Sequence, residues 1–232
     1  MEESEAKHIS IVITFFNRPQ YLKKTLNALI PQLGEKDEII VVNDGGIHPE
    51  LPEEVTYLWQ ERQGYRLASA RNKGIAQAHN PYIVSLDDGI VPDPDYLKAY
   101  RRRVKPRVLL LGGLRFEYDP HETQYWPPEM PRTYEYPDHM RGFGGQQCFP
   151  KMDAVAVGGF DERFNGCWGT EDSAFIKALS CSGVVVEKCF EAMATHLYHP
   201  TSFTEDCKDR NSGLMLKFVK EYEKRIYPQW KY

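Results

Sequence analysis

The chain has 232 residues, a formal net charge of −4 at pH 7 and a sequence pI near 6.0. A chain of this length can bury a core without disulfides or metal ions, and we expect a single domain over residues 1–232. Because its basic residues are scattered rather than clustered, the composition argues against nucleic acids and anionic membrane surfaces as partners.

The first ten residues, MEESEAKHIS, are acidic and polar. They lack the basic start and apolar run of a signal peptide, and no apolar stretch in the sequence reaches the length of a membrane span. The cysteines are odd in number and form no C-x-x-C pair, so neither a disulfide framework nor a zinc knuckle is expected. We therefore expect a cytoplasmic protein with reduced thiols at Cys148, Cys167, Cys181, Cys189 and Cys207.

The first predicted unit is a strand followed by a helix. The run ISIVITF at 9–15 is short, β-branched and bounded by polar residues, which is typical of a buried parallel strand. Asn17 is a candidate helix cap, and Pro19 would lie in the first helical turn. Helical spacing of apolar residues then continues through Leu22, Leu26, Leu29, Ile30 and Leu33.

The same alternation of strands and helices continues along the first half of the chain. It predicts an α/β fold with a mainly parallel central sheet flanked by helices. Ligands of such sheets bind beyond the carboxyl ends of the strands, where Asn17, Asp44 and Asp87 would emerge. The predicted elements are strands at 38–46, 55–59 and 82–88 and a helix at 68–78.

After a predicted strand at 107–118, the amino-acid composition of the chain changes. Residues 119–147 are rich in Pro, Tyr, His and Gly, and a long loop of that kind is usually functional or disordered. Its aromatic side chains favour a function, with a packed surface flap as the alternative. The remaining predicted elements are a glycine-rich turn at 158–172, helices at 172–182 and 213–225, and strands at 184–187 and 192–200.

Two adjacent acids, Asp87 and Asp88, stand before Gly89 at the end of a predicted buried strand. Aspartates are common in turns, so a solvated bend is one explanation. The other is a divalent cation site, because hard cations take carboxylate oxygens and a nucleotide diphosphate can supply the remaining ligands. The position at a strand end favours the cation.

A second acidic pair, Glu171 and Asp172, opens a predicted helix after Thr170. Acids in a first turn often do no more than complement the helix dipole. A carboxylate held there, inside a glycine-rich and aromatic segment, is also well placed as a general base.

The segment HLYHP at 196–200 supplies two candidate imidazole ligands. In a strand, His196 and His199 would point to opposite faces, so at most one should reach a shared site. Pro200 would hold His199 extended at the strand exit, which makes it the better candidate, although a structural role is common for such histidines.

Arg66 and Arg71 lie at the start of the helix at 68–78. They could be a solvated face, or guanidinium groups that bind diphosphate oxygens. The chain contains neither G-x-x-x-x-G-K-[ST] nor a G-x-G-x-x-G after a strand, so P-loop and dinucleotide-binding interpretations lack their motifs.

Taken in order, these segments resemble the family 2 glycosyltransferases of the GT-A fold over nearly the whole chain. IVITFFNRPQYLKKTLNAL at 11–29 is similar to the family's opening strand, nucleotide-contacting turn and first helix, and VVNDGG at 41–46 to its V-V-x-D-G-S segment. SARNKGI at 69–75 and YIVSLDD at 82–88 match its A-R-N-x-G-I and Y-I-x-F-L-D-x-D run. GGFDERF at 158–164, WGTED at 168–172 and a later histidine resemble a galactosyltransferase-like C-terminal segment.

The resemblance implies a nucleotide-sugar-binding half at 1–118 and an acceptor-binding half at 119–232. It implies that Asp87 begins the D-x-D metal motif and that Glu171 and Asp172 are catalytic, with Asp172 the base. The second D-x-D acid, however, falls on Gly89, so either Asp88 takes the ligand role, or metal binding is weak, or catalysis uses Arg and Lys instead. The other implied roles are nucleotide-sugar binding by Thr14, Phe16, Arg18, Asp44 and Arg71, metal binding by His199 or His196, and acceptor binding by Trp168 and Trp126.

The expected function is transfer of a hexosyl group from a UDP-sugar to a hydroxyl acceptor with inversion. Oxygen and imidazole ligands together suit Mn²⁺ better than Mg²⁺. Two other functions stay open at this point: a catalytically degenerate binding protein for a nucleotide sugar or glycan, which Gly89 would favour, and a nucleotidyltransferase. The latter predicts a glycine-rich basic loop where this chain has TFFNRPQ at 14–20.

Overall fold

A computed structural model of the chain describes residues 7–117, 145–199 and 205–226. Trp126 and most of the aromatic segment at 119–147 lie outside the described residues. The strands are β1 (Ile9–Phe15), β2 (Glu38–Asn43), β3 (Val55–Trp59), β4 (Tyr82–Asp87), β5 (Ile90–Pro92), β6 (Val108–Phe116), β7 (Gln146–Pro150) and β8 (Val185–His196). The helices are α1 (Pro19–Leu29), α2 (Leu67–Gln77), α3 (Tyr96–Arg103), α4 (Lys151–Ala156), α5 (Glu171–Cys181) and α6 (Glu205–Ile226).

The strands form one mixed sheet in the order β3-β2-β1-β4-β7-β6-β8-β5. The first four are parallel, as predicted. The short strand β7 runs antiparallel between β4 and β6, and β5 closes the far edge antiparallel to β8. The α/β fold is confirmed, and the carboxyl ends of β1, β2 and β4 meet at one edge.

The sheet has a hydrophobic core on each face. Along β1, Ile11, Ile13 and Phe15 pack in a core with α1 and α3, whereas Val12 packs on the other face with α2 and α5. This alternation explains why the strand reads as a continuous apolar run, since both of its faces are covered. Each such buried side chain contributes about 1.5–3 kcal/mol.

Gly74 sets the distance between α2 and the sheet. A Cβ at this position would overlap a methyl group of Val12, and Val42 lies beside it. The helix can therefore approach β1 and β2 only because this residue has no side chain. The close approach brings Arg71, one turn earlier on α2, to the end of β4.

Several elements differ from the sequence-based expectation. The short elements β5, α3 and α4 were not predicted, and β7 takes the last residues of the segment expected to be a loop. The two strands expected at 184–187 and 192–200 are one strand, β8, with a bulge opposite Gly112 and Gly113. Helix α6 begins at Glu205 rather than 213.

The predicted helix cap at Asn17 is wrong. Residue Arg18 precedes the first turn of α1, with no side-chain cap, and Asn17 has a left-handed backbone with φ 55°. Its side-chain oxygen accepts instead from the backbone N–H of Ile47, at 2.8 Å. Asn17 thus joins the loop after β1 to the loop after β2.

The expectation that all five cysteines are reduced is also wrong. Cys167 and Cys207 form a disulfide across a sequence separation of 40 residues, with their Cα atoms 5.1 Å apart. Packing of α6 beside the segment that precedes α5 brings them together. Cys148, Cys181 and Cys189 are free thiols. No helix among the described residues is both long and apolar enough to cross a bilayer.

Candidate active site

The ends of β1 and β4 bring Thr14 and Asp87 together. They are register partners, and the Thr14 hydroxyl donates to Asp87 Oδ1 at 3.1 Å. Asp44 follows β2, and its N–H donates to the Phe15 carbonyl at 2.9 Å. The predicted convergence of strand ends is therefore present at this edge.

Asp44 is buried, and both of its carboxylate oxygens have protein partners. Oδ1 accepts from Gln60 Nε2 at 2.7 Å, and Oδ2 accepts from Arg62 at 3.1 Å and from the backbone N–H of Arg66 at 2.9 Å. The Arg62 guanidinium also lies 3.9 Å from the ring centre of Phe16. Sequence reasoning missed Gln60 and Arg62, because nothing in their local pattern shows that they fold back onto Asp44.

Arg71 is 1% exposed and bridges two acids. Its Nη2 lies 3.0 Å from Asp87 Oδ1, and its Nη1 lies 2.6 Å from Glu171 Oε1. Burial alone would lower the pKa of Arg71, but Asp87 and Glu171 outweigh it and raise that pKa above its usual value. This guanidinium links the end of β4 to the first turn of α5, and the sequence did not show that link.

Asp172 is half-buried one residue further along α5. Its pKa is raised to about 7, first by burial and then by the charge of Glu171, while Arg71 opposes the shift. Oδ1 accepts from the backbone N–H of Ser173 at 2.6 Å. Asp172 is therefore a carboxylate that gains and loses a proton near neutral pH.

Tyr65 stands beside the same acids and was not singled out in the sequence. Burial, followed by the charges of Glu171 and Asp87, raises its pKa well above the usual value, so the phenol stays neutral. Its carbonyl accepts from the N–H of Gly166 at 2.5 Å, which ties the start of α2 to the segment before α5.

Asp88 points into the protein. It is 0% exposed, its Oδ1 lies 2.5 Å from Arg18 Nη2, and its Oδ2 accepts from the N–H of Phe16 at 3.3 Å. Burial raises the pKa of Asp88 to about 7 in spite of the opposing charge of Arg18. The structure gives Asp88 a partner in Arg18, directly before α1, and its role as a metal ligand stays a prediction.

The prediction that His196 and His199 point to opposite faces is wrong. Strand β8 ends at His196, so strand alternation does not extend to His199, and the two ring centres lie 5.1 Å apart. Burial, followed by His199, lowers the pKa of His196 to about 4, although Asp87 opposes the shift. His196 is therefore a neutral imidazole at pH 7.

A divalent cation would find suitable donor types here but not a complete set. Asp87 and the two imidazoles have the right chemistry, yet within 7–117, 145–199 and 205–226 no three acidic, histidine or cysteine side chains are grouped to hold a metal. A Cβ on Gly89 would lie 3.6 Å from Tyr21 and 4.0 Å from both Arg18 and His199. The missing second acid of D-x-D would therefore have faced this cluster, so bound diphosphate would have to supply the further ligands.

Trp168 lies in the segment before α5 with 44% of its surface exposed. An exposed aromatic side chain three residues before Glu171 is compatible with its predicted role in acceptor binding, which stays a prediction. Trp126, the other predicted acceptor residue, is outside the described residues.

Residues 10–164 match the family described as Glycosyl transferase family 2, so the chain belongs to that family. Residues 130–200 match a second family, described as the N-terminal domain of galactosyltransferase, in agreement with the resemblance of the C-terminal segment.

Two curated bacterial proteins show the likeness at the level of sequence. One is the validoxylamine A glucosyltransferase of Streptomyces hygroscopicus subsp. jinggangensis (strain 5008), 27% identical over 92% of this chain and 61% of its own length. The other is the chondroitin synthase of Pasteurella multocida (strain Pm70), 26% identical over 94% of this chain and 28% of its own length. The chain spans less than two thirds of either relative.

Among solved structures, GalNAc-T7 with UDP, GalNAc and Mn²⁺ is similar, with a TM-score of 0.71 and 16% identity. The match covers 97% of this chain and 50% of that one. It confirms the GT-A fold predicted from the sequence.

Proposed function

We propose that this protein transfers a hexosyl group from a UDP-sugar to a hydroxyl acceptor with inversion at the anomeric carbon. The observation that carries the proposal is Asp172, a half-buried carboxylate whose pKa is raised to about 7. It lies next to Glu171, which Arg71 connects to Asp87 at the nucleotide-binding edge of the sheet. Residues 1–118 would bind the nucleotide sugar, and 119–232 the acceptor.

Asp172 has the properties of a general base for a hydroxyl acceptor. A base works best when its pKa lies near the working pH, because it is then both ionised and basic enough to take a proton. Burial, followed by the neighbouring charge of Glu171, keeps that pKa raised. Inversion needs one displacement, in which the deprotonated hydroxyl attacks the anomeric carbon opposite the departing diphosphate.

The uridine part of the proposal rests on Phe16 and Asp44. The Arg62 guanidinium contacts both the Phe16 ring and the buried Asp44 carboxylate, so a flat base could stack on Phe16 while a ring N–H reaches Asp44. The GalNAc-T7 structure of similar fold contains UDP. Thr14, at the adjacent strand end, would border the ribose.

The departing diphosphate needs positive charge at the end of β4. The side chain of Arg18 is 31% exposed there, whereas the buried Arg71 is already paired with two acids. A divalent metal is the further source of charge that we propose, Mn²⁺ before Mg²⁺, and Mn²⁺ is present in the GalNAc-T7 structure. Asp87, His196 and His199 are the residues of this chain that would hold it.

The test is donor turnover. The protein is mixed with UDP-glucose, UDP-galactose, UDP-GlcNAc and UDP-GalNAc, each with a panel of hydroxyl acceptors, and released UDP is measured. Asp172→Asn serves as the control, and the anomeric configuration of the product, read by NMR, reports inversion or retention. Product of retained configuration would contradict the inverting mechanism.

A second candidate is a binding protein of the same fold that does not turn over its ligand. Gly89 in place of an acid, together with the inward-facing Asp88, favours it. UDP-sugar binding by calorimetry, without UDP release under any donor and acceptor combination, would select this function over the transferase.

A further inference from the structure

The segment just before Asp172 has an unusual backbone. Gly166, Gly169 and Thr170 have φ values of 94°, 93° and 72°, and Thr170 directly precedes α5 without a side-chain cap. For a β-branched residue such as threonine this left-handed conformation is unfavourable, and it persists only where neighbouring contacts enforce it. We call residues 165–170 the base loop.

Helix α6 supplies such contacts through Asn211, which is 1% exposed. Its Nδ2 donates to the carbonyl oxygens of Trp168, at 3.2 Å, and Gly169, at 2.6 Å. Its Oδ1 accepts from Arg210 at 2.9 Å, so the amide is fixed in orientation and both of its hydrogens are used on the base loop. One buried amide thus holds the two peptide groups on either side of Gly169.

Two further links join α6 to the same short stretch. Arg210 donates to the carbonyl oxygens of Arg163, at 2.9 Å, and Asn165, at 3.0 Å. The disulfide between Cys167 and Cys207 joins the middle of the base loop to the first turn of α6. Every residue of the loop from 167 to 169, together with Asn165, is therefore attached to α6 by a hydrogen bond or a covalent bond.

We propose that Asn211 and the Cys167–Cys207 disulfide position Asp172 by holding the base loop in its left-handed conformation. The inference rests on the proposed function, since it assigns Asn211 as a positioning residue for that general base. Asn211 touches no reacting group; it acts through the backbone of Trp168 and Gly169, from which α5 starts two residues later.

Helix α6 also has apolar contacts that are separate from these polar links. Phe218 of α6 is buried in a separate apolar cluster with Phe164, Ala174 and Ala178. Removing the Asn211 amide should therefore release the base loop while α6 stays packed. The nucleotide-binding edge, on the far side of Arg71, should be unaffected.

The proposal also makes activity sensitive to reduction. A dithiol reductant transfers two electrons and two protons to the disulfide, which leaves free thiols on Cys167 and Cys207 and a cyclic disulfide on the reductant. The base loop would then lose its covalent link to α6. Turnover should fall, and it should recover when the thiols are reoxidised.

The experiment compares Asn211→Ala with Ser212→Ala, a matched change at the exposed neighbouring position on α6. We expect kcat to fall about 10-fold to 100-fold in Asn211→Ala, with UDP affinity by calorimetry and the donor KM within twofold of wild type. Ser212→Ala should behave as wild type. Unchanged kcat in Asn211→Ala, or an equal loss of kcat and UDP affinity, would overturn the proposal.

Reduction of the Cys167–Cys207 disulfide is an independent test that can be used if Asn211→Ala does not fold. Dithiothreitol should lower kcat of the wild type to the level of Cys207→Ser, have no effect on Cys207→Ser itself, and leave UDP binding intact in both. A reduced wild type with full turnover would overturn the proposal. If Asp172→Asn is inactive and Asn211→Ala is fully active, only the positioning role of Asn211 is rejected. If Asp172→Asn is fully active, the role of Asp172 as general base is rejected as well.

Discussion

Arg18 Nη2 lies 2.5 Å from Asp88 Oδ1, and this pair joins the residue directly before α1 to the residue directly after β4. The carboxylate is completely buried, and its backbone carbonyl accepts from the Thr25 hydroxyl, further along α1, at 3.0 Å. Asp87 and Asp88 are adjacent in sequence but have different surroundings. Asp87 faces Thr14 and Arg71, and Asp88 faces Arg18.

Asp88→Ala should therefore act first on stability. Removing the acid leaves Arg18 without its partner, and the loss of a partly buried pair costs about 1–3 kcal/mol in the free energy of unfolding. Urea unfolding of Asp88→Ala, Arg18→Ala and the double variant measures the coupling between them. If the losses in the free energy of unfolding are additive, the pair contributes nothing to stability. If Asp88→Ala keeps its stability but loses Mn²⁺-dependent UDP binding, Asp88 is a metal ligand.

The pH dependence of turnover should report Asp172. Only its ionised form can accept the acceptor proton, so kcat/KM should rise with pH through about 7 and level off above it. Glu171 and Asp172 interact, so the observed value belongs to the pair. Asp172→Asn should lower turnover by about 10²-fold or more at every pH while UDP affinity stays near that of wild type.

The free energy of unfolding gives an independent test of the raised pKa of Asp172, because it should fall over the pH range in which turnover rises. The pKa of Asp172 is higher in the folded protein than its ordinary value of 3.8, so the folded state binds the proton more tightly than the unfolded chain. This contribution to the free energy of unfolding decreases as pH rises from about 4 to about 7 and is constant above. Asp172→Asn should lack it, and an identical pH profile in both proteins would contradict the raised pKa.

Arg71→Lys tests the bridge between Asp87 and Glu171. One ammonium group cannot reproduce the two-pronged geometry of the guanidinium, so one acid loses its partner. We expect a loss of about 2–4 kcal/mol in the free energy of unfolding. Because Arg71 lowers the pKa of Asp172, a weakened cation should also move the rise in kcat/KM to higher pH. An unmoved pH profile would show that Arg71 has no electrostatic effect on the base.

UDP should stabilise the protein against heat more than GDP or ADP does, because selective binding to the folded state raises its apparent stability. Phe16→Ala should reduce the UDP shift and weaken UDP binding about 5-fold to 10-fold, since it removes the aromatic face beside Asp44. Ser212→Ala is the control, as it changes an exposed residue of α6. Equal shifts with all three nucleotides would rule out a uridine-specific pocket.

Gly89→Asp should restore the acid that the D-x-D motif lacks. Gly89 does not have a positive φ, and a Cβ at this position would lie no closer than 3.6 Å to its nearest neighbour. Both the backbone and the available space therefore accept a side chain. We expect tighter UDP binding in Mn²⁺, measured by calorimetry with and without EDTA. Gly89→Ala controls for the added Cβ, and equal metal dependence in the two variants would show that position 89 cannot reach the cation.

The strands of the first half were predictable because each is an apolar run covered on both faces, as the alternation of Ile11, Val12 and Ile13 between two cores shows. The positions of Asn17, Asp44 and Asp87 followed from the rule that parallel strands end at one edge, whereas Thr14 was implied only by the family resemblance. What could not be predicted depends on contacts between distant segments. Gln60 and Arg62 fold onto Asp44, and Cys167 meets Cys207, only through the tertiary arrangement.

The histidines show a different reason for error. The alternation rule is sound, but it applies only inside a strand, and the pattern of HLYHP does not show that β8 stops at His196. The same limit applies to Asp88, which follows the last residue of β4, so strand alternation does not predict where its side chain points.

The two described residues that flank 118–144 are each hydrogen-bonded to a residue of the candidate site. The N–H of Glu117 donates to the carbonyl of His196, at 2.9 Å, and the carbonyl of Gly145 accepts from the N–H of Asp87, at 3.0 Å. The chain thus leaves beside one predicted site residue and returns beside another. We expect that residues 118–144 can be replaced by the corresponding segment of a relative. The exchange should change the choice of acceptor and leave the sheet register and the donor preference unchanged.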